Sequence, residues 1–204
     1  SKKYQLRGEI LSFIPVDKNV EIMLVTITNT GRMAQTVTPT AAIPLYGRSA
    51  DNIRDHRHVT SLLHRIETTD TGVLVTPTLS FDERGHQVNH MTYYCVGWSG
   101  NGEKPVDFYP TAEDFVGEGG NFERPYAIVK NAEGVKAGTK IEGLEAVGGL
   151  HFSEITLEPE EECSYLIFTG ITEDIQEIRN LSKTYTTREM VLEELEKTKA
   201  YWQE

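Results

Sequence analysis

The segment Tyr46 to Ile66, YGRSADNIRDHRHVTSLLHRI, carries the densest set of groups in this chain that could do chemistry. Arg48, Asp51, Arg54, Asp55 and Arg57 interleave both signs of charge within ten positions, with His56 and His58 beside them. Guanidinium forks match phosphate oxygens or paired sugar hydroxyls, and carboxylates accept from hydroxyls, so the stretch suits an anionic or polyhydroxyl ligand. Interleaved opposite charges also satisfy one another, and an ion-pair network that pins a loop explains the same residues. If His58 to Ile66 is a strand, its period of two aligns His58, Thr60, Leu62 and His64 on one face, with His56 just ahead. A metal site of the cupin kind wants H-x-H followed within three or four residues by glutamate. The first glutamate after His58 is Glu67, nine positions on, so no metal is expected.

Other chemistry-bearing groups point less sharply. The acidic pairs Glu113 with Asp114 and Glu160 to Glu162 are neighbours in sequence, whereas glycoside chemistry needs two carboxylates facing across a cleft. GEGGN, Gly117 to Asn121, does not end in Lys-Ser/Thr and is no nucleotide loop. Trp98, Tyr109, Phe115 and Trp202 have faces that could stack on sugar rings, although aromatics in an all-β domain mostly build core. Cys95 and Cys163 sit in separate apolar runs and read as buried free thiols.

The elements that must position these groups are mainly strands. YQLRGEILSFI alternates, while VEIMLVTIT is apolar at both parities and predicts a strand covered on both faces. Further strands are expected in QTVTPTAAIPLYG, HVTSLLHRIE, GVLVTPTLSF, VNHMTYYCVGW, YAIVKN, LHFSEITLE and CSYLIFTGI, separated by turn residues. About nine strands without a long helix between them predict an all-β, large antiparallel sandwich over residues 1–170. Gly97 to Pro125, with six glycines, three prolines and four Phe or Tyr side chains, reads as a long ordered loop. Its glycines Gly117, Gly119 and Gly120 are candidates for positive φ.

Residues 171–204 read as a helical linker: a capping box from Thr186 to Glu189 opens a helix whose Val191, Leu195 and Trp202 form an apolar stripe. No terminating signal follows Trp202, which predicts a longer parent polypeptide. Thirty-one acidic against twenty basic residues give a net charge of -11, which argues against nucleic acid and anionic membranes as partners. The longest apolar run is short and no signal peptide is visible, so a cytoplasmic protein is expected.

The run YGRSADNIRDHRHVTSLLHRI, followed by AEDFVGEGGNFERP and a helix of the LEELEKTKAYW kind, resembles the N-terminal region of glycoside hydrolase family 94. These are the cellobiose and cellodextrin phosphorylases, once grouped as glycosyltransferase family 36, and the likeness extends over essentially the whole chain. In the loop Phe115, Val116, Gly117, Gly119 and Pro125 match the family pattern, and Glu118 stands where arginine is common. The resemblance implies a galactose-mutarotase-like supersandwich followed by a linker helix, a helical catalytic barrel and a small β domain. It also implies inverting phosphorolysis of a β-glucosaccharide by inorganic phosphate to α-glucose 1-phosphate, without a cofactor, in a homodimer. The general acid would be an aspartate of the barrel, absent from this chain, which leaves no catalytic residue here. Arg48, Asp51, Arg54, Asp55, Arg57 and His58 are then candidates for the subunit interface or the mouth of the active site, and Phe115, Gly117, Gly119 and Pro125 for a structural loop. Two alternatives stay open. One is a stand-alone carbohydrate-binding module, and the other a mutarotase-like epimerase for which His86, His90 and Glu154 supply the residue types.

Overall fold

A computed structural model of the chain describes residues 5–47, 57–82 and 85–203. In chain order its strands are β1 (Leu6–Phe13), β2 (Val20–Asn29), β3 (Gln35–Val37), β4 (Thr40–Leu45), β5 (His64–Thr68), β6 (Gly72–Pro77) and β7 (Leu79–Asp82). They continue as β8 (Gly85–Val88), β9 (Thr92–Ser99), β10 (Asp107–Thr111), β11 (Lys140–Glu142), β12 (Ala146–His151), β13 (Ile155–Leu157) and β14 (Glu162–Thr172). The helices are α1 (Arg57–Ser61), α2 (Ala112–Val116), α3 (Tyr126–Lys130), α4 (Ile175–Thr184) and α5 (Arg188–Gln203).

A seven-stranded antiparallel sheet runs β1-β2-β14-β9-β6-β5-β11, and a three-stranded one runs β10-β12-β4. The alternation of side chains along the strands decides what lies on each face. Val20, Ile22 and Leu24 of β2, Tyr94, Val96 and Trp98 of β9, and Leu166 and Phe168 of β14 cluster with Ile178, Leu181, Tyr185 and Val191 of the α4–α5 region. Their neighbours Cys95, Tyr165 and Ile167, with Met23, Val25 and Ile27 packed against them, cluster instead with Leu45, Phe108, Ala146 and Leu150 of the three-stranded sheet. The large sheet is therefore the middle of three layers, as the doubly apolar β2 sequence requires.

Each interface has its own fastening. On the sheet side, a Cβ on Gly148 would collide with the Cys95 side chain, so glycine lets β12 approach β9 closely. On the helix side, Phe168 is fully buried and stacks between Trp98, with ring centroids 4.7 Å apart, and Tyr185, at 5.7 Å. The Trp98 indole N–H donates to the Tyr185 carbonyl at 2.7 Å, capping the end of α4 with a side chain from the sheet.

Several sequence expectations change. His58 to Ile66 is not one strand: the chain is helical over α1 and becomes β5 only at His64, so the period-two row of His58, Thr60, Leu62 and His64 does not form. YAIVKN is α3, not a strand. Pro125 supplies its extended N-cap, and Asn131 ends it in the left-handed conformation with φ 48°. The loop from Gly97 to Pro125 contains β10 and α2. Pro110 lies where the β10–β12 register shifts between Tyr109 and Thr111, which is how a strand tolerates a residue with no N–H.

The α5 stripe is also revised. Val191 and Leu195 are buried against the sheet, but Trp202 is 76% exposed, its ring edge-on to Tyr201. At 1.5 Å per residue Trp202 sits about 16 Å along the axis from Val191, past the cover the sheet provides. The helix starts one residue later than the capping box proposes. Thr187 precedes it, its carbonyl accepting from the Val191 amide at 3.4 Å. The Glu189 carboxyl is held below its usual range by its own backbone amide and by the Thr187 hydroxyl.

Phe168→Ala is expected to destabilise the fold by about 3–5 kcal/mol, since it empties a fully buried ring site. Trp202→Ala should change stability by no more than about 0.5 kcal/mol, as surface substitutions do. Urea unfolding of both variants checks the pair; a large loss for Trp202→Ala would mean α5 is covered along its whole length.

Candidate functional site

The sequence-derived site candidates divide by position. Arg48, Asp51, Arg54 and Asp55 lie outside the described residues, while Arg57 and His58 form the first turn of α1. What the structure describes is the frame on either side of this stretch. β4 ends at Leu45, Tyr46 and Gly47 follow, and α1 leads through Thr60 and Ser61 into His64 at the start of β5.

The glycine-rich loop arrives at the same place. In the three-stranded sheet, Ala146 pairs with Leu45 on one side and Thr111 on the other, so the end of β4 and the start of α2 flank one end of β12. Thr111 caps α2 by accepting from the Asp114 amide at 3.1 Å, and its hydroxyl donates to the Asp114 carboxylate at 2.6 Å. The Glu113–Asp114 pair is thus the first turn of a helix, favourable to the helix dipole, and not two carboxylates across a cleft. Phe115 is buried, with Tyr109 and Phe122 at centroid distances of 5.7 and 5.8 Å. Gly117, with φ 79°, ends α2, and Gly119 has φ 66°; both adopt the left-handed backbone that glycine tolerates best. Pro125 is buried and opens α3.

Tyr46, Thr60, Ser61, His64, Phe122 and Glu145 line a small pocket where these segments meet, a volume of about 30 Å³. That is room for one water and not for a hexose. His64 is 4% exposed, and its Nδ1–H donates to the Leu144 carbonyl at 3.1 Å. Nε2 therefore carries the lone pair, and it is buried without a hydrogen-bond partner among the described residues. Burial holds the imidazole's pKa below its ordinary value, against weaker upward pulls from the Leu144 and Gly47 backbone and the Glu145 carboxylate. Gly47 packs closely against His64: a Cβ there would stand 2.9 Å from Val75 Cγ1 and 3.1 Å from His64 Nε2.

A second polar pair sits at the other end of β12, five residues and about 17 Å away along the strand. His151 Nδ1 donates to Asp107 Oδ1 at 2.6 Å, with the Tyr109 ring 5.7 Å from the imidazole and Lys136 Nζ 4.0 Å from Asp107 Oδ2. Sequence reasoning missed this pair because Asp107 and His151 are 44 residues apart and become opposite only through the β10–β12 register. Among the described residues no group of three His, Cys, Asp or Glu could hold a metal. Cys95 is buried, its thiol pushed up to about 12 by burial, and Cys163 is raised chiefly for the same reason; both are free thiols. His86 lies in β8, His90 just beyond it, and Glu154 between β12 and β13; all three are exposed and none lines the pocket at the end of β12. Glu162 pairs with Arg188 at 2.6 Å, which ties that acidic turn to α5. No helix among the described residues is long and apolar enough to cross a membrane.

Gly47→Ala is expected to cost about 1–3 kcal/mol, because the added methyl overpacks a wall made of Val75, Pro77 and His64. Urea unfolding measures it, and a neutral result would mean the wall yields freely. His64 gives a pH dependence. With its folded pKa below the unfolded value near 6.5, the unfolded chain takes up a proton first as pH falls. Stability should be unaffected by this group above that value and should decline as pH falls from it toward the folded pKa. His64→Gln should remove that part of the decline, seen as a smaller loss of melting temperature between neutral and mildly acidic buffer than in the parent chain.

The profile of the family described as "Glycosyl hydrolase 94, supersandwich domain" matches residues 1–188, from before β1 to the first residue of α5. A comparison with curated proteins finds no match. The layered sheets, the convergence of the Tyr46 and Phe115 segments at one end of β12, and a family match that spans nearly all of the chain lead to one assignment: the chain belongs to the glycosyl hydrolase 94 family, as its supersandwich domain.

Proposed function

We propose that this chain serves as the non-catalytic sandwich domain of an inverting β-glucoside phosphorylase, where it contributes to dimer assembly and to the mouth of the active site. In such an enzyme inorganic phosphate attacks the anomeric carbon of a β-glucosaccharide, the glycosidic C–O bond breaks, and a carboxylic acid of the catalytic barrel protonates the departing glycosidic oxygen, which leaves as a hydroxyl. The product is α-glucose 1-phosphate. The observation that carries the reading is the junction at the end of β12, where Tyr46, α1 and the Phe122 loop are held on a rigid sheet around a pocket too small for a sugar. Loops set on a stiff scaffold are where recognition usually resides. A junction of that kind frames a neighbouring site and needs no substrate cavity of its own. The arginines of the intervening stretch would meet saccharide or phosphate at the partner subunit's active site. Two free cysteines fit a reducing, cytoplasmic setting.

Incubated with cellobiose, laminaribiose or sophorose in phosphate, the chain alone should release no glucose 1-phosphate above a buffer blank; release would overturn the non-catalytic assignment. In a phosphorylase that carries this domain, Arg54→Ala together with Arg57→Ala should raise KM for saccharide or phosphate by about 10- to 100-fold, the size of a lost charge-assisted contact. Unchanged kinetics would remove the stretch from the mouth.

A further inference from the structure

β1 forms one edge of the seven-stranded sheet, with β2 as its sole strand neighbour among the described residues. It keeps an unbroken register with β2 over eight residues and contains neither proline nor bulge, two devices that keep a sheet edge from pairing further. The Thr30 N–H donates to the Gln5 carbonyl at 2.8 Å, and antiparallel bonding alternates along a strand. Arg7 and Glu9 therefore turn their peptide groups toward β2, in register with Thr28 and Thr26, whereas Gly8 and Ile10 turn theirs to the open edge. Side chains alternate as well. Arg7 and Glu9 share the face on which Phe13 packs with the α4–α5 cluster, and they pair with each other at 3.1 Å while staying mostly exposed. Ile10 is 69% exposed on the opposite face, at the rim of an apolar groove of about 270 Å³ shared with Met23, Val25 and Ile27. A Cβ on Gly8 would meet nothing within 4 Å, so nothing crowds the middle of the strand.

The edge is complementary to itself. An antiparallel pair of two β1 strands centred on Gly8 sets Gly8 opposite Gly8, where their outward N–H and C=O groups meet. It also sets Arg7 opposite Glu9 of the second copy on one face and Leu6 opposite Ile10 on the other. Arg7 and Glu9 fall in the closer, non-hydrogen-bonded kind of pair, and a two-fold axis makes each contact twice. Centring on Arg7 or on Glu9 instead sets like charges face to face, and centring on Ile10 leaves Glu9 opposite Leu11. We propose that β1 is a self-association surface, through which two copies of this chain join their large sheets edge to edge in the Gly8-centred register. A foreign strand would have to carry the same alternation of charge; a second copy carries it by symmetry. β1 lies five strand spacings, about 24 Å, from β5 and the α1 junction, so this contact is separate from the mouth of the active site and does not rest on that reading. A single strand pair is small beside the roughly 1,200–2,000 Å² of stable complexes, and the dimer is accordingly weak, with a dissociation constant in the micromolar to submillimolar range.

Sedimentation velocity of the chain over a concentration series should show a monomer–dimer equilibrium. Arg7→Glu sets glutamate against glutamate twice and should weaken the dimer about tenfold or more. Arg7→Glu combined with Glu9→Arg exchanges both signs and should restore it to within about threefold of the parent. Both positions are exposed, so the melting temperatures of the monomeric variants should stay close to the parent's. Hydrogen exchange reads the register: the Gly8 amide should exchange more slowly as concentration rises, while those of Arg7 and Glu9, which face β2, should change little. A dimer that survives Arg7→Glu unweakened places the contact elsewhere and overturns the proposal, leaving the junction reading untouched. The proposal is equally overturned by a chain that stays monomeric up to millimolar concentration, by a charge exchange that fails to restore the dimer, or by Gly8 exchange that is independent of concentration.

Discussion

Apolar side chains project from both faces of the seven-stranded sheet, and such a sheet cannot stand in water with either face bare. Everything else in the fold answers that constraint. One face receives β10, β12 and β4, brought close by Gly148, whose missing side chain leaves space for Cys95. The other receives α4 and α5, which are too short and too weakly apolar to be stable in isolation and exist because the sheet offers them a surface. The stack of Trp98, Phe168 and Tyr185 joins the two, and the indole N–H supplies a donor where a helix end would otherwise leave a carbonyl bare.

The same layering fixes where function can sit. β12 is six residues long and is bracketed by β4 and β10, so its two ends are two separate neighbourhoods. At the Ala146 end the register sets Leu45 and Thr111 on either side of Ala146, and with them Tyr46 after β4 and the start of α2. Residues more than sixty positions apart thus share one junction without any direct attraction between the loops themselves. At the His151 end the register instead creates the Asp107–His151 pair. The two imidazoles consequently differ: half-buried His151 donates to a carboxylate, whereas buried His64 donates to a neutral carbonyl and keeps an unused lone pair.

How much of this could be read from the sequence follows from which forces are local. The doubly apolar run of β2 announced a buried sheet, because face burial leaves its mark on every residue of a strand. Phe115, Gly117, Gly119 and Pro125 were legible as an ordered loop, since each acts on its own backbone or its near neighbours. β12 was not legible: AVGGLH carries two glycines that look like a turn, and they are there because Cys95 and Tyr109, distant in sequence, press on the strand. HVTSLLHRIE mixes a helical turn with a strand, and its alternation of polar and apolar residues fits either over so few positions.

Electrostatics separates two regions of the chain. The chain as a whole is acidic, at -11, but beyond about 8–10 Å salt screens one exposed charge from another. What an approaching ligand meets is therefore the local balance. Between Arg48 and Arg57 three arginines outnumber two aspartates, so that stretch of the sequence is locally basic. Beside Tyr185 the single ammonium of Lys18 faces the carboxylates of Asp17 and Glu194, so the local balance there is acidic.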